Sequence, residues 1–203
     1  MDLNRLESLI GKDNIIKLNK LNILIIGLGG VGGYTVESLI RSGISNITLV
    51  DGDTIKPSNL NRQIVSNTSN INELKTNEWE KRIKLINPKC NIKLISEMIN
   101  EDNIDLLFQD KYDYIIDCCD TVKVKIELIK RCFKNNIKLI SSMGMANKMD
   151  ASMIKISSLY KTDTDPLAKK IRSIIKDKNI MKNTTVVYSN ETPIKNNILG
   201  STS

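Results

Sequence analysis

Three glycines in the spacing Gly27-x-Gly29-x-x-Gly32 are the first residues along the chain with an evident chemical use. They follow the apolar run Ile23–Ile26 and precede a stretch of helical spacing, so they predict a strand–turn–helix unit. Glycine here permits a tight turn and lets backbone N–H groups approach a phosphate at the helix N-terminus. Asp51 ends the next apolar run, 19 residues after Gly32, where a carboxylate can accept hydrogen bonds from ribose hydroxyls. The pattern predicts a nucleotide site without identifying the nucleotide.

The polar residues that follow favour ATP over a nicotinamide dinucleotide. The chain has no histidine, which is often the proton donor in hydride-transfer enzymes. Instead it has the run Asn59-Leu-Asn-Arg62-Gln63, then Lys75, and later Asp120 just past another apolar run. Arginine and lysine suit a triphosphate, and a carboxylate suits Mg²⁺. Each residue has a plainer alternative, since Lys75 could be solvated, Arg62 could cap a loop and Asp120 could cap a helix.

Composition limits the remaining chemistry. The 203 residues are 40% hydrophobic and 26% charged, which is ordinary for a folded chain, and no domain boundary stands out. The four cysteines form no Cys-x-x-Cys pair, so neither a zinc site nor a disulfide scaffold is expected. No apolar run reaches about 18 residues and no secretory signal is evident. We therefore expect a cytoplasmic protein without a membrane span that uses carboxylates, Lys, Arg, backbone dipoles or a bound cofactor.

Positive charge is concentrated in the second part of the chain. Residues 1–120 have 14 Lys and Arg against 17 Asp and Glu, whereas residues 121–203 have 16 against 6. The stretch Pro166–Lys178 has helical spacing and five basic residues. Such a helix could bind the phosphates of a nucleic acid, although a plain solvated face is an equally simple interpretation.

Alternation of apolar runs with helical spacing predicts an α/β fold. It is Rossmann-like and doubly wound, with a mostly parallel sheet flanked by helices. The predicted strands are Ile23–Ile26, Ile47–Val50, Ile92–Ile95, Tyr112–Asp117, Ile137–Ile140, Met153–Ser157 and Thr185–Tyr188. The predicted helices cover residues 9–19, 32–42, 73–86, 101–109, 122–134 and 166–178.

The ordered motifs resemble those of a known family, the ThiF/MoeB class of ubiquitin-activating-like adenylating enzymes. The motifs are Gly27-Leu-Gly-Gly-Val-Gly32, Asp51-Gly-Asp53, Asn59-Leu-Asn-Arg62-Gln63, Lys75 and Asp117-Cys-Cys-Asp120. The resemblance covers nearly the whole chain and implies one ATP-binding adenylation domain over residues 1–203, with a helical segment at 1–20. Finer markers resemble the branch that dehydrates threonylcarbamoyladenosine in tRNA, namely Arg5-x-x-x-Leu-Ile-Gly11, Ile86-Asn-Pro88, Ser141-Ser-Met-Gly144, Tyr160-Lys-Thr162, Asp165-Pro-Leu-Ala168 and Val187-Tyr-Ser189 with Glu191.

The resemblance implies a role for each motif residue. ATP is expected on the glycine turn and on the polar residues around it, with Asp51 on the ribose: Gly27, Gly29, Gly30, Gly32, Asp51, Asp53, Asn59, Arg62, Lys75 and Thr121. The residues expected to be catalytic are Arg62, Lys75, Asp120 and Arg5. Among them Asp120 is expected to bind Mg²⁺, and Arg5 matches an arginine that, in homodimers of this class, reaches the neighbour's triphosphate.

The implied reaction is the ATP-dependent cyclisation of threonylcarbamoyladenosine in tRNA, with loss of water through an adenylated carboxylate. The alternative is activation of the C-terminus of a ubiquitin-like sulfur-carrier protein. This chain departs from the sulfur-carrier activators because their zinc-binding Cys-x-x-Cys pairs are absent, and Cys118 and Cys119 are more simply small residues at a strand end. Relatives continue beyond the length of this chain, so we expect a C-terminus that is truncated.

Overall fold

The computed structural model describes residues 1–194, and these fall into two compact units. The first unit comprises Met1–Leu139, and the second begins at Ile140. The organisation as a single adenylation domain remains a prediction from the sequence. Within the described residues, no helix combines the length and the apolar character needed to cross a bilayer.

Four parallel strands form the sheet of the first unit, in the order β3-β2-β1-β4. Their side chains are mainly Ile, Leu and Val, and β1 is buried along most of its length, as a parallel strand covered on both faces requires. The strands are β1 (Asn22–Ile26), β2 (Asn46–Val50), β3 (Asn91–Ile95) and β4 (Tyr114–Asp117).

The helices of the first unit are α1 (Asn4–Ile10), α2 (Lys12–Lys20), α3 (Gly32–Arg41), α4 (Lys75–Ile86) and α5 (Val122–Lys134). Helices α3 and α4 pack in the core through apolar stripes that include Val36, Ile40, Trp79 and Ile83. Helix α1 has no buried residue.

Two helix predictions in the first unit were wrong. The single helix predicted over residues 9–19 is replaced by α1 and α2, which separate at Gly11, where φ is +83°. Residues 101–109 contain only a 3₁₀ turn at Ile104–Phe108. The periodicity of both stretches fits a helix, but a left-handed glycine ends one helix and short local turns replace the other.

The second unit combines β5 (Lys138–Ser142), β6 (Ile154–Ser158), β7 (Thr185–Ser189) and two helices. Strand β7 pairs parallel with β5 and antiparallel with β6. The helix predicted over 166–178 is two helices, α6 (Pro166–Ile175) and α7 (Lys178–Asn183), because Lys176 is left-handed with φ +56°. The predicted α/β class with a mostly parallel sheet is confirmed.

Candidate nucleotide-binding site

The turn between β1 and α3 requires two of its glycines for packing of the chain itself. Gly27 has φ +84°, and a Cβ there would lie 2.8 Å from the carbonyl carbon of Cys118. A Cβ at Gly32 would lie 1.7 Å from the carbonyl oxygen of Gly27. Any side chain at either position would force the turn away from β4, so these glycines fix the shape of the turn.

The other two glycines of the motif leave the turn open. A Cβ at Gly29 would come no closer than 3.7 Å to a described neighbour, and one at Gly30 no closer than 3.5 Å. No side chain among residues 1–194 caps the N-terminus of α3, whose N-cap is Val31. Free N–H groups at a helix N-terminus form an anion site, so the open turn suits a phosphate.

Asp51 ties the end of β2 to this turn. Its Oδ2 accepts a hydrogen bond from the Leu28 N–H at 2.7 Å, and its Oδ1 accepts one from the Asp53 N–H at 2.8 Å. Lys75 Nζ lies 3.6 Å from Asp51 Oδ2 and 2.8 Å from Asp53 Oδ2. The Lys75 side chain is only 6% exposed, so the alternative that it is a solvated helix residue was wrong. A carboxylate has about four lone-pair sites, which leaves Asp51 acceptor capacity for a ligand hydroxyl.

The loop after Asp53 brings Arg62 beside the glycine turn. Asn59 is buried, and its Oδ1 accepts a hydrogen bond from the Lys56 N–H at 3.0 Å, which holds the 3₁₀ turn at Pro57–Asn59. Arg62 donates from Nη1 to the Ser58 carbonyl at 2.8 Å, and its Cγ would lie 3.5 Å from a Cβ on Gly30. The loop-capping alternative for Arg62 therefore holds in part, while the exposed guanidinium remains beside the open turn.

Gln63 is a site residue to which the sequence prediction assigned no role. It is 94% buried, and its Oε1 has no hydrogen-bond partner among residues 1–194. Its Nε2 would lie 3.7 Å from a Cβ on Gly29, so the amide faces the open side of the turn. A buried acceptor without a donor costs about 1–3 kcal/mol, which favours a ligand or a water that donates to it. The available signal was its place next to Arg62 in the same loop.

Asp120 lies three residues beyond the end of β4 and is exposed. Cys118, two residues before it, lies at the glycine turn, because the Cys118 N–H donates to the Ile26 carbonyl at 2.8 Å. The alternative that Asp120 caps α5 was wrong, since the N-cap is Thr121 and no side chain caps that helix. No group of three or more Cys, Asp and Glu residues among those described could hold a metal. A single exposed carboxylate nevertheless fits Mg²⁺, which is commonly held by one or two carboxylates with phosphates and water.

Both cysteines near Asp120 have thiol pKa values that are raised above the ordinary range. Burial, with a smaller effect of the Asp117 charge, raises the pKa of Cys118 to about 11. The same two causes raise the pKa of the Cys119 thiol further. The thiolate is the reactive form of cysteine, so neither residue is suited to accept an acyl group near neutral pH.

Arg5 is a predicted catalytic residue that the described contacts do not bring to the glycine turn. It lies on α1, where it lines a cleft of about 380 Å³ with Asp2, Leu6 and Arg41. Helix α1 has no buried residue, and Leu9 on it is 80% exposed. The predicted role of Arg5 in a second copy of the chain is compatible with this position and stays a prediction.

The Rossmann-like sheet, its open glycine turn and the lysine–aspartate pair behind it are those of a nucleotide-binding α/β protein. A model of the ThiF family matches residues 2–190, and the chain belongs to this family.

The curated relatives are similar over most of this chain. The tRNA threonylcarbamoyladenosine dehydratase of Bacillus subtilis is 39% identical over 191 residues, which cover 94% of this chain and 75% of that protein. The protein of the same name in Escherichia coli is 37% identical over 80% of this chain. This chain spans only 61% of the length of the E. coli relative. A crystal structure of the E. coli dehydratase in complex with ATP has a TM-score of 0.90 at 31% identity, covering 95% of this chain and 82% of that chain.

Proposed function

We propose that this chain catalyses the ATP-dependent dehydration of threonylcarbamoyladenosine in tRNA to its cyclic form. The observation that carries the proposal is the open glycine turn at the uncapped N-terminus of α3, with Lys75 and Arg62 beside it. Two positive side chains and free N–H groups at one place suit a triphosphate rather than a single phosphate. The names and similarity of the relatives supply the substrate.

The triphosphate would lie along the glycine turn, with its charge met by Asn59, Arg62 and Lys75. Lys75 now pairs with Asp53, which is 45% exposed, so its ammonium group can turn to a phosphate without crossing the core. Asp51 would accept hydrogen bonds from the ribose, with Thr121 at the edge of the site. Asp120 would hold Mg²⁺, which when bound neutralises negative charge on the phosphates.

The reaction requires no nucleophile from the protein. The threonyl carboxylate of the nucleoside attacks the α-phosphorus, the bond to the β-phosphate bridging oxygen breaks, and pyrophosphate leaves. The carbamoyl group of the same nucleoside then attacks the activated carbonyl, closes the ring and expels AMP. The nucleoside thereby loses one water while ATP becomes AMP and pyrophosphate. The attacking group is already part of the substrate, so orientation replaces covalent catalysis. The raised pKa of the Cys118 and Cys119 thiols agrees with this mechanism.

A homodimer in the cytoplasm is part of the proposal. Arg5 would then reach the triphosphate held by the second copy. Support comes from the position of Arg5 on α1, which buries no residue against its own chain, and from the sequence resemblance.

The test is incubation of the 203-residue chain with ATP, Mg²⁺ and tRNA carrying threonylcarbamoyladenosine, followed by mass analysis of the nucleosides. We expect loss of one water from the modified nucleoside with equal amounts of pyrophosphate and AMP. Asp120→Ala should abolish this turnover. The proposal is wrong if pyrophosphate exchange instead depends on a carrier protein ending in Gly-Gly, or if ATP binds without forming AMP.

A further inference from the structure

The second unit has exposed lysines that no carboxylate neutralises. We define the basic face as Tyr160, Lys169, Lys170, Lys176, Lys178 and Lys182, all of which are exposed. None of its five lysines forms an ion pair within the described part of the chain, where the only ion pair of the second unit is Lys148–Asp165. Three exposed lysines of the first unit, Lys81, Lys123 and Lys130, each pair with a glutamate and serve as a comparison.

The helices place these lysines on one accessible surface. Helix α6 buries Ala168, Ile171 and Ile175, so Lys169 and Lys170 lie on the side away from the core. On α7, Lys178 and Lys182 are four residues apart and share one face. Lys176 forms the left-handed turn between the two helices. The helices contact each other, and α7 also contacts the turn that carries Tyr160.

Four of the five acidic residues of the second unit accept hydrogen bonds from backbone N–H groups, and the fifth, Asp163, lies beside the Tyr188 hydroxyl. Asp165 accepts from the Ala168 N–H and caps α6, while Asp177 accepts from the Asn179 N–H and caps α7. Glu191 accepts from the Met149 N–H, and Asp150 accepts from the Ser152 N–H. Carboxylates used as caps remain where they are, so the charge of the lysines is left for an external anion.

An aromatic ring lies within the basic face. Tyr160 is 42% exposed, and Lys182 Nζ lies 5.5 Å from its ring centroid. An exposed aromatic beside lysines is the combination with which proteins bind single-stranded nucleic acid, by stacking on a base while cations meet the phosphates. A membrane surface would attract the same lysines, but it gives no reason for an exposed tyrosine ring beside a lysine ammonium group.

We propose that the basic face docks the phosphodiester backbone of the tRNA substrate and that Tyr160 stacks on an unpaired base. This inference rests on the proposed function for the identity of the RNA. It adds a second set of residues that contact the RNA, separate from the residues of the nucleotide site. The two claims are separable because binding of tRNA and its dehydration are measured independently.

The test compares two triple variants with the same change in charge. K169Q/K170Q/K178Q removes unpaired lysines of the basic face, and K81Q/K123Q/K130Q removes ion-paired lysines of the first unit. We expect the first variant to raise Kd for tRNA at least tenfold and to lower the slope of log Kd against log salt by roughly 0.7–0.9 for each lost phosphate contact. The second variant should bind as the unchanged chain does. Thermal unfolding of both variants serves to establish that they fold.

Tyr160→Leu separates stacking from charge. It should weaken tRNA binding about tenfold, as loss of one stacked base implies, without changing the salt slope. In the activity assay, the basic-face variant should raise KM for tRNA and leave kcat and ATP binding unchanged. Equal tRNA binding by the two triple variants would overturn the inference. It would also be overturned if the basic-face variant lost binding to phosphatidylserine vesicles but bound tRNA as the unchanged chain does. Dehydration failing in the unchanged chain would instead overturn the proposed function, while the binding comparison would still decide this inference.

Discussion

Strands β2 and β4 end in similar acidic pairs that the fold uses differently. In each pair the first aspartate, Asp51 or Asp117, has a buried side chain. Its carboxylate accepts a hydrogen bond from a backbone N–H two residues further along the chain. Each of these aspartates also faces a lysine from the first turn of the next helix, Lys75 for Asp51 and Lys125 for Asp117. The local plan is the same, so the difference in function must come from burial.

Burial closes one pair and leaves the other accessible. Lys125 and Asp117 are 1% and 0% exposed and lie 2.9 Å apart, so they have no access to a ligand. Lys75 reaches Asp53, which is 45% exposed, and therefore lies at the edge of the open turn. The sealed pair, Lys125 and Asp117, positions the chain segment that carries Asp120. In the open pair, Lys75 can exchange the Asp53 carboxylate for a phosphate.

Breaking the sealed pair should have the largest effect. Lys125→Met removes the ammonium group that lies 2.9 Å from the buried Asp117 carboxylate, and we expect the free energy of unfolding to fall by about 3–5 kcal/mol. Urea denaturation measures this loss. The double variant D117L/K125M removes both charges and should recover most of the stability, since apolar replacement of a buried pair is often neutral or favourable. A loss below about 1 kcal/mol for Lys125→Met would show that the pair is not a structural support.

Breaking the open pair should affect the reaction more than the fold. Lys75→Met should slow pyrophosphate release by about 10²–10³-fold, as expected when one group that stabilises developing charge is removed. The control is Lys81→Met on the same helix, because Lys81 is 66% exposed and its ion-pair partner in the described part of the chain is Glu78. That variant should match the unchanged chain in rate, and in unfolding free energy within about 0.5 kcal/mol. Equal rates for the two variants would contradict a role for Lys75 at the phosphates.

The sequence was sufficient for the parts of this comparison that depend on local pattern. The spacing of Gly27 and Gly32 after an apolar strand predicted the turn. Only glycine fits at these two positions, because a Cβ would clash with the backbone of Cys118 or of Gly27. Asp51 and Asp120 were placed at strand ends because parallel strands bring their carboxyl ends to one edge. The strands themselves were predicted within a few residues, since each contains a short run rich in Ile, Leu or Val.

What depends on tertiary burial could not be predicted. The sequence does not show that Lys75 is enclosed or that Lys125 pairs with Asp117, because the partners are brought together only by the sheet. That Gln63 Oε1 has no hydrogen-bond donor among residues 1–194 likewise cannot be read from a sequence that shows only a polar loop residue. Lys176 ends α6 in a left-handed conformation that is uncommon for lysine, so the helix was predicted to run on.

The smallest effect is expected at the two cysteines between the aspartates of the sealed strand end. Cys119 donates from Sγ to Asp117 Oδ1 at 3.0 Å, and Cys119→Ser retains a donor there. Together with Cys118→Ala it should change the dehydration rate less than twofold. Iodoacetamide at pH 8 should also leave the folded chain active, because burial raises the pKa of Cys118 to about 11.

The direction of the pH dependence follows from the same shift. A thiol with a raised pKa in the folded state stabilises the fold fully below its unfolded pKa, near 9, and that contribution is lost as the pH rises towards 11. Unfolding free energy should therefore fall less steeply between pH 9 and 11 in Cys118→Ala than in the unchanged chain. Rapid alkylation at pH 8 with loss of turnover would instead mean that a thiolate takes part in the reaction, and the strand end of β4 would then be a reactive site rather than a support for Asp120.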